Sequence, residues 1–208
     1  MSRGGKDLAV VRRILDGEEA AFAELVEAYQ SRLVRLASSF VSSRAIAEEV
    51  VQDTWIGVLD GLATFEGRSS LKTWIFRILV NRARTRGQRE ARSIPFSALG
   101  KEGERGEPAV DPDRFTPKGM WSQPPERWDS DTPEELLMRR QAMGVIQATL
   151  QELPENQRLV VMLRDVEGLE SEEVCGLLEV SEANQRVLLH RARARLRRAL
   201  EVHLQGGE

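Results

Sequence analysis

The sequence predicts an all-α protein of two small helical domains joined by a long flexible linker, and three observations carry that prediction. Apolar residues recur at helical spacing through both ends of the chain and nowhere alternate with the two-residue period of a strand. Hydrophobic residues make up 41% of the 208 positions but aromatic ones only 5%, which suits small helical units better than a sheet sandwich. Seven of the eight prolines fall between Pro95 and Pro133, together with Gly100, Gly103, Gly106 and Gly119, and a structureless stretch of about forty residues is uncommon inside one compact fold. The expected division is residues 1–92, an acidic linker over 93–132, and a C-terminal four-helix unit over 133–208 that ends in a helix-turn-helix.

The elements follow in order. Asp16-Gly17-Glu18-Glu19 reads as a helix N-cap, after which Phe22, Leu25, Val26, Tyr29, Leu33, Leu36 and Phe40 keep one apolar face. Ser43 caps a second helix over Arg44 to about Leu62, and Ser70 caps a third that runs through Trp74 and Ile78 into Arg86. These three helices make the first domain. In the second, Thr132-Pro133-Glu134-Glu135 forms a capping box, and Leu136, Met143, Ile146 and Leu150 supply the buried side of the helix it opens. Pro154 starts a further helix through Leu159, Val160 and Leu163 that Gly168 ends. The residues Glu172 to Ser181 then lead into a final helix that holds six arginines and no acid between 183 and 200.

On a wheel of about 100° per residue, that last helix places Leu188, Leu189, Ala192, Leu196 and Ala199 on one apolar stripe. Ala183, Arg186, Val187 and His190 point the other way. A cationic fork, an imidazole and two small apolar groups in the first turns are what a major-groove reading helix needs, because its leading residues reach base edges while flanking cations hold phosphates.

Charge comes in blocks. Residues 15–63 hold nine acidic and three basic side chains, residues 64–92 eight basic and two acidic, and the total is -3. Two cationic patches are therefore expected, one near each end of the chain, each a candidate phosphate-binding surface. The lone Cys175 excludes an intramolecular disulfide and a cysteine zinc site, and it reads as a small core residue. No signal segment or apolar run long enough to span a membrane is present, so a cytoplasmic protein without membrane insertion is expected. The two histidines, His190 and His203, both lie on the final helix, and no paired carboxylates, nucleophile elbow or phosphate-cradling loop occurs. The expectation is a protein that is not an enzyme, with no catalytic residues, cofactor or metal.

Three motifs in this order and spacing resemble the bacterial RNA polymerase sigma factors, in particular the small two-domain extracytoplasmic-function branch. They are Ala47-Glu48-Glu49-Val50-Val51-Gln52-Asp53-Thr54-Trp55, then Lys72-Thr73-Trp74-Ile75-Phe76-Arg77-Ile78-Leu79-Val80-Asn81, and Leu153-Pro154-Glu155-Asn156-Gln157-Arg158 leading to His190-Arg191-Ala192-Arg193-Ala194-Arg195-Leu196-Arg197. The resemblance implies a promoter-specificity subunit that binds core RNA polymerase and promoter DNA and is commonly held inactive by an anti-sigma partner. It implies polymerase contacts at Glu49, Gln52, Asp53, Trp55 and Leu59. The wheel agrees, since Ile46, Val50, Thr54 and Gly57 form a core stripe that leaves Gln52, Trp55 and Leu59 outside, an aromatic anchor within a polar rim.

The third helix and the loop Phe65-Glu66-Gly67-Arg68-Ser69-Ser70 resemble the segment that opens the minus-10 element. Opening without fuel needs cations for the backbone and a place for an extruded base. Phe65, Arg77, Asn81 and Arg84 are the implied contacts, the last three on one arc, with Trp74 beside it read as core. The final helix should read the minus-35 element through Ala183, Asn184, Arg186, Val187, His190 and Arg191. Here the chain departs from the family pattern of a small residue, Thr-Val, a basic residue and Ser-Arg: Gln185 stands for a valine and faces inward, and Leu188 stands for an arginine. Trp121 and Trp128 in the linker could dock on a domain surface or bind a partner. The competing reading is a stand-alone helix-turn-helix regulator, which leaves the basic third helix unexplained.

Overall fold

The computed structural model describes residues 3–93 and 133–205. They form two compact units, one within Met1–Gly100 and the other within Lys101–Glu208. The linker residues Phe115, Trp121 and Trp128 and the cap at Thr132 lie outside the described residues.

The first unit holds four helices rather than the three expected: α1 (Arg3–Leu15), α2 (Glu19–Ala37), α3 (Arg44–Gly61) and α4 (Leu71–Ser93), with a 3-10 turn at Leu62–Thr64 between the last two. The additional α1 packs on α2 and on the 3-10 turn. It is hard to see in sequence because it buries little: Val11 is sealed, but Leu15 is 52% exposed. Its presence also reassigns Asp16-Gly17. Gly17 takes φ 86, a left-handed conformation open to glycine at no steric cost, and so closes α1, while Glu18 occupies the N-cap position of α2. Arg13 donates to both Glu18 oxygens across that corner, which holds the Glu18 carboxyl below the ordinary glutamate range. This tie is present above that range and lost on acidification through it.

The two serine caps are where the sequence places them. Ser43 Oγ accepts from the Ile46 N–H at 3.3 Å, and Ser70 Oγ accepts from the Thr73 N–H at 3.0 Å. α1 adds a cap from a distance: Asp7 Oδ2 accepts from the Leu71 N–H at 2.9 Å, and the Leu8 side chain lies over Gly67. The N-terminal helix thereby fixes both the loop before α4 and the first turn of α4. Asp7→Ala should lower stability by about 1 kcal/mol, as loss of a helix cap does. Thermal unfolding of the full chain checks this, and an unchanged midpoint would mean the cap contributes nothing.

α3 lies between α2 and α4 and packs on both. A helix with two neighbours buries two stripes, so the single stripe read from the wheel was too narrow: Ala47, Val51, Trp55 and Val58 are buried beside Val50 and Thr54. The core of the unit closes around Leu33, Leu36, Ile75, Phe76 and Leu79, all fully buried. α4 runs past Arg86 to Ser93, and Gly87 within it permits close approach to the end of the preceding turn: a Cβ there would meet the Phe40 carbonyl oxygen at 2.3 Å.

The second unit holds α5 (Pro133–Glu152), α6 (Glu155–Val161) continued by a π-helical turn (Met162–Val166), α7 (Ser171–Leu178) and α8 (Glu182–Gln205). Pro133 is the first helical residue of α5, Pro154 sits at the N-cap of α6, and Gly168 (φ 65) follows the π-helical turn, as the sequence implies. Met143 departs from expectation, being 53% exposed, while Ile146 and Leu150 are half-buried. The principal neighbour of α5 is α8, and a helix covered on one side buries a narrow stripe. α7 and α8 meet through a tight turn in which Glu179 adopts φ 57 and Ser181 Oγ accepts from the Asn184 N–H at 3.2 Å.

Candidate nucleic-acid and polymerase interfaces

The outward edge of α3 carries Glu49, Gln52 and Asp53, all exposed, followed by Leu59 at 48%. It also carries Ile56 at 57%, which the sequence reading missed. The signal was available: Ile56 lies three and four residues from Leu59 and Gln52, on their face. Trp55 is the correction. It is 8% exposed, its ring stands edge-on to Phe22 at 5.7 Å, and its indole N–H donates to Gln30 Oε1 at 2.7 Å. A tryptophan bound on two sides to α2 anchors that helix and offers no open face. The apolar part of the outward edge is Ile56 and Leu59.

α4 packs along α3 and turns two arcs of side chains outward. Arg77 and Asn81 are exposed and Arg84 is half-buried, so the expected arc is on the surface. A second arc, Arg82, Arg86 and Arg89, borders a groove of about 340 Å³ whose other lip is Glu49 and Asp53. Arg86 Nη2 pairs with Glu49 Oε2 at 3.0 Å, and the Arg82 guanidinium lies directly over Gly57, where any side chain would collide with it. A side chain at 57 would displace the Arg82 guanidinium from this position on α3.

Phe65 is a further correction. Expected at the DNA surface, it is 8% exposed, stacked at a tilt on Trp74 with ring centroids 5.3 Å apart. The backbone N–H of Phe65 closes the 3-10 turn by donating to the Leu62 carbonyl, which carries the ring under Trp74. Trp74, half-buried, lies beside Gly61, where an added Cβ would come within 3.0 Å of its ring. The aromatic pair supports the loop, and Trp74 is its more open member.

In the second unit α8 presents the expected residues. Ala183, Asn184, Arg186 and Arg191 are exposed, Val187 is 45% exposed, and His190 is half-buried; Leu189 and Ala192 face the core, and Gln185 faces inward at 1% exposure. The six arginines between 183 and 200 do not all face solvent. Arg193 makes a two-pronged contact with Asp165, Nε to Oδ2 at 2.8 Å and Nη2 to Oδ1 at 2.6 Å. That hydrogen bonding holds its guanidinium charged above the ordinary arginine range. Arg197 is 7% exposed. Arg186 pairs with Glu182 one turn earlier at 2.9 Å. Of the six, Arg186, Arg191, Arg195 and Arg198 are exposed.

A helical unit with an acidic-apolar edge beside a basic edge, and a second unit presenting a helix-turn-helix, define a DNA-binding protein of the transcription machinery. The chain belongs to the sigma-70 family of RNA polymerase sigma factors, in its extracytoplasmic-function branch. Sigma-70 region 2 matches residues 25–93, and sigma-70 region 4 matches residues 143–196. Among relatives, the ECF RNA polymerase sigma-E factor of Escherichia coli K12 is 28% identical over 193 residues, covering 93% of each chain. The RNA polymerase sigma-H factor of Pseudomonas aeruginosa is 28% identical over 200 residues, 96% of each. Two solved structures share the fold. CnrH, in complex with the cytosolic domain of CnrY, aligns with TM-score 0.56 at 22% identity over 94% of this chain and 97% of that one. RpoE of Bartonella quintana, in complex with the anti-sigma factor NepR, aligns with TM-score 0.59 at 21% identity over 87% and 97%.

Proposed function

We propose that this chain binds core RNA polymerase and directs initiation at a specific set of promoters, acting by binding alone. The observation that carries the reading is the direct packing of α3 on α4. One rigid unit holds an exposed apolar pair inside an acidic rim (Glu49, Gln52, Asp53, Ile56, Leu59) and, on the next helix, Arg77, Asn81 and Arg84. Docking the first edge on polymerase sets the position of the second. At the minus-10 element the two arginines hold phosphates and Asn81 reads a base edge, so that binding of the opened strand offsets the lost stacking. Phe65 and Trp55 act from beneath, by holding the loop and α2. At the minus-35 element α8 enters the major groove with Ala183, Asn184, Arg186 and Val187, and His190 and Arg191 lie along the flanking backbone.

Among the described residues no helix is long and apolar enough to cross a membrane, and we place the protein in the cytoplasm with its polymerase. An anti-sigma protein is the regulator this reading implies, since a partner that covers Ile56 and Leu59 would also block polymerase.

The test is reconstitution with core polymerase free of other specificity factors, followed by sequencing of transcripts made from genomic fragments. Factor-dependent start sites are expected, with weak or no DNA binding by the free chain. Tight promoter binding by the free chain would instead indicate a stand-alone regulator. Arg186→Ala should relax preference at one minus-35 base pair, at about 1–3 kcal/mol if the contact is bidentate. An equal loss on every promoter would make Arg186 a phosphate contact.

A further inference from the structure

Gln185 carries a feature that DNA contact does not explain. It lies in the first turn of α8 yet is 1% exposed, and its Nε2 has no hydrogen-bond partner. Its Oε1 accepts from the Ser171 hydroxyl, at the start of α7, at 3.1 Å. A buried amide with half its capacity unmet destabilises a fold relative to an apolar side chain of the same size, so packing alone gives no reason for glutamine here. What the amide supplies is direction. Hydrogen bonds constrain angle as well as distance, whereas apolar contacts let two helices slide or turn on one another.

The contact is one side of a polar frame. Arg164, in the π-helical turn, donates to the Leu169 carbonyl just ahead of α7. Its neighbour Asp165 holds Arg193 of α8. The π-helical turn is thus tied to the entry of α7 and to the middle of α8, and the Ser171–Gln185 bond joins α7 to the start of α8. One residue from Gln185 on either side, Asn184 and Arg186 are exposed. Any rotation of α8 about its axis would move both away from their base edges.

We propose that Gln185 is a positioning residue for minus-35 recognition: its hydrogen bond to Ser171 sets the rotation of α8 on α7, and fold stability is given up for that accuracy. The inference rests on the promoter-reading function proposed above and goes beyond it, because it predicts opposite signs for stability and recognition in one variant.

The test uses the full chain and compares Gln185→Met, Ser171→Ala, Ser171→Thr and the double variant Gln185→Met/Ser171→Ala. Gln185→Met should raise the thermal midpoint, by about 5 °C for a unit of this size if the buried amide is the dominant effect. In reconstituted holoenzyme the same variant should lose discrimination between the preferred minus-35 sequence and single-base changes by about tenfold, the scale of one misaligned bidentate contact. Ser171→Ala should lose discrimination similarly, Ser171→Thr should retain it by keeping the hydroxyl, and the double variant should be no worse than either single one. A fall in midpoint for Gln185→Met, or a rise with discrimination unchanged, overturns the proposal while leaving promoter reading intact. Absence of factor-dependent initiation with the unsubstituted chain overturns both.

Discussion

Ile56→Asp combined with Leu59→Asp should reduce affinity for core RNA polymerase by at least about 100-fold while leaving the helical spectrum and thermal midpoint of the chain unchanged. Both side chains project from α3 at 57% and 48% exposure, so a carboxylate at either position stays hydrated in the free protein. In the complex the same carboxylates would be desolvated against an apolar partner surface. Two hot-spot residues at about 2 kcal/mol or more each correspond to some 100- to 1,000-fold, with the lower figure allowing for non-additivity. Trp55→Ala is the instructive contrast. It removes a buried ring and leaves the Gln30 carbonyl without its donor, so it should destabilise the first unit by about 3–5 kcal/mol, and any loss of polymerase binding would follow from unfolding. Titration of labelled chain with core polymerase, alongside thermal unfolding of each variant, separates the two effects. Retention of full affinity by the double aspartate variant would move the docking surface off this edge of α3.

Gly87→Ala should destabilise the first unit even though alanine is the better helix former. Helix propensity favours the change by about 1 kcal/mol. Against that, the new methyl group meets the Phe40 carbonyl oxygen at 2.3 Å, and a backbone atom cannot rotate away. The same turn is held to α4 by the Ser42 N–H, which donates to Glu90 Oε2 at 3.0 Å, so relief requires separating the two segments. Overpacking of this kind costs about 1–3 kcal/mol, and with backbone as the obstacle the upper part of the range applies, giving a net loss of about 1–2 kcal/mol. Gly144→Ala is the matched control: it lies exposed within α5 with no atom within 4 Å of the added carbon, and should stabilise by about 0.5–1 kcal/mol. Chemical denaturation of both variants reads the signs directly. A stabilised Gly87→Ala protein would show that α4 and the Phe40 turn are not in contact.

Much of the candidate interface was legible because it depends on local rules. Ser43 and Ser70 act as caps, Pro154 and Gly168 bracket the middle helix of the second unit, and the 3.6-residue period on α8 separates inward Gln185 and Leu189 from outward Ala183, Arg186 and Val187. Each of these requires knowledge of one element only. Trp55, Phe65 and Met143 were misjudged because their exposure depends on how many neighbours surround a helix, which no single-helix wheel contains. The charge count failed in the same way for Arg193 and Arg197, whose burial is decided by Asp165 and the helices around α8.

The sequence by itself determined that the chain is helical, that it divides at the proline-rich stretch, and which faces of α4 and α8 carry arginine, because spacing and capping act within a few residues. Only the tertiary structure decided that α1 exists as a brace for α4, that Ile56 and not Trp55 stands at the outer edge of α3, and that Gln185 bonds to Ser171. The physical reason is that burial and hydrogen-bond partners are properties of pairs of segments far apart in the chain. Side chains as alike in sequence as Arg191 and Arg193 meet opposite fates, one in solvent and the other clasped by Asp165.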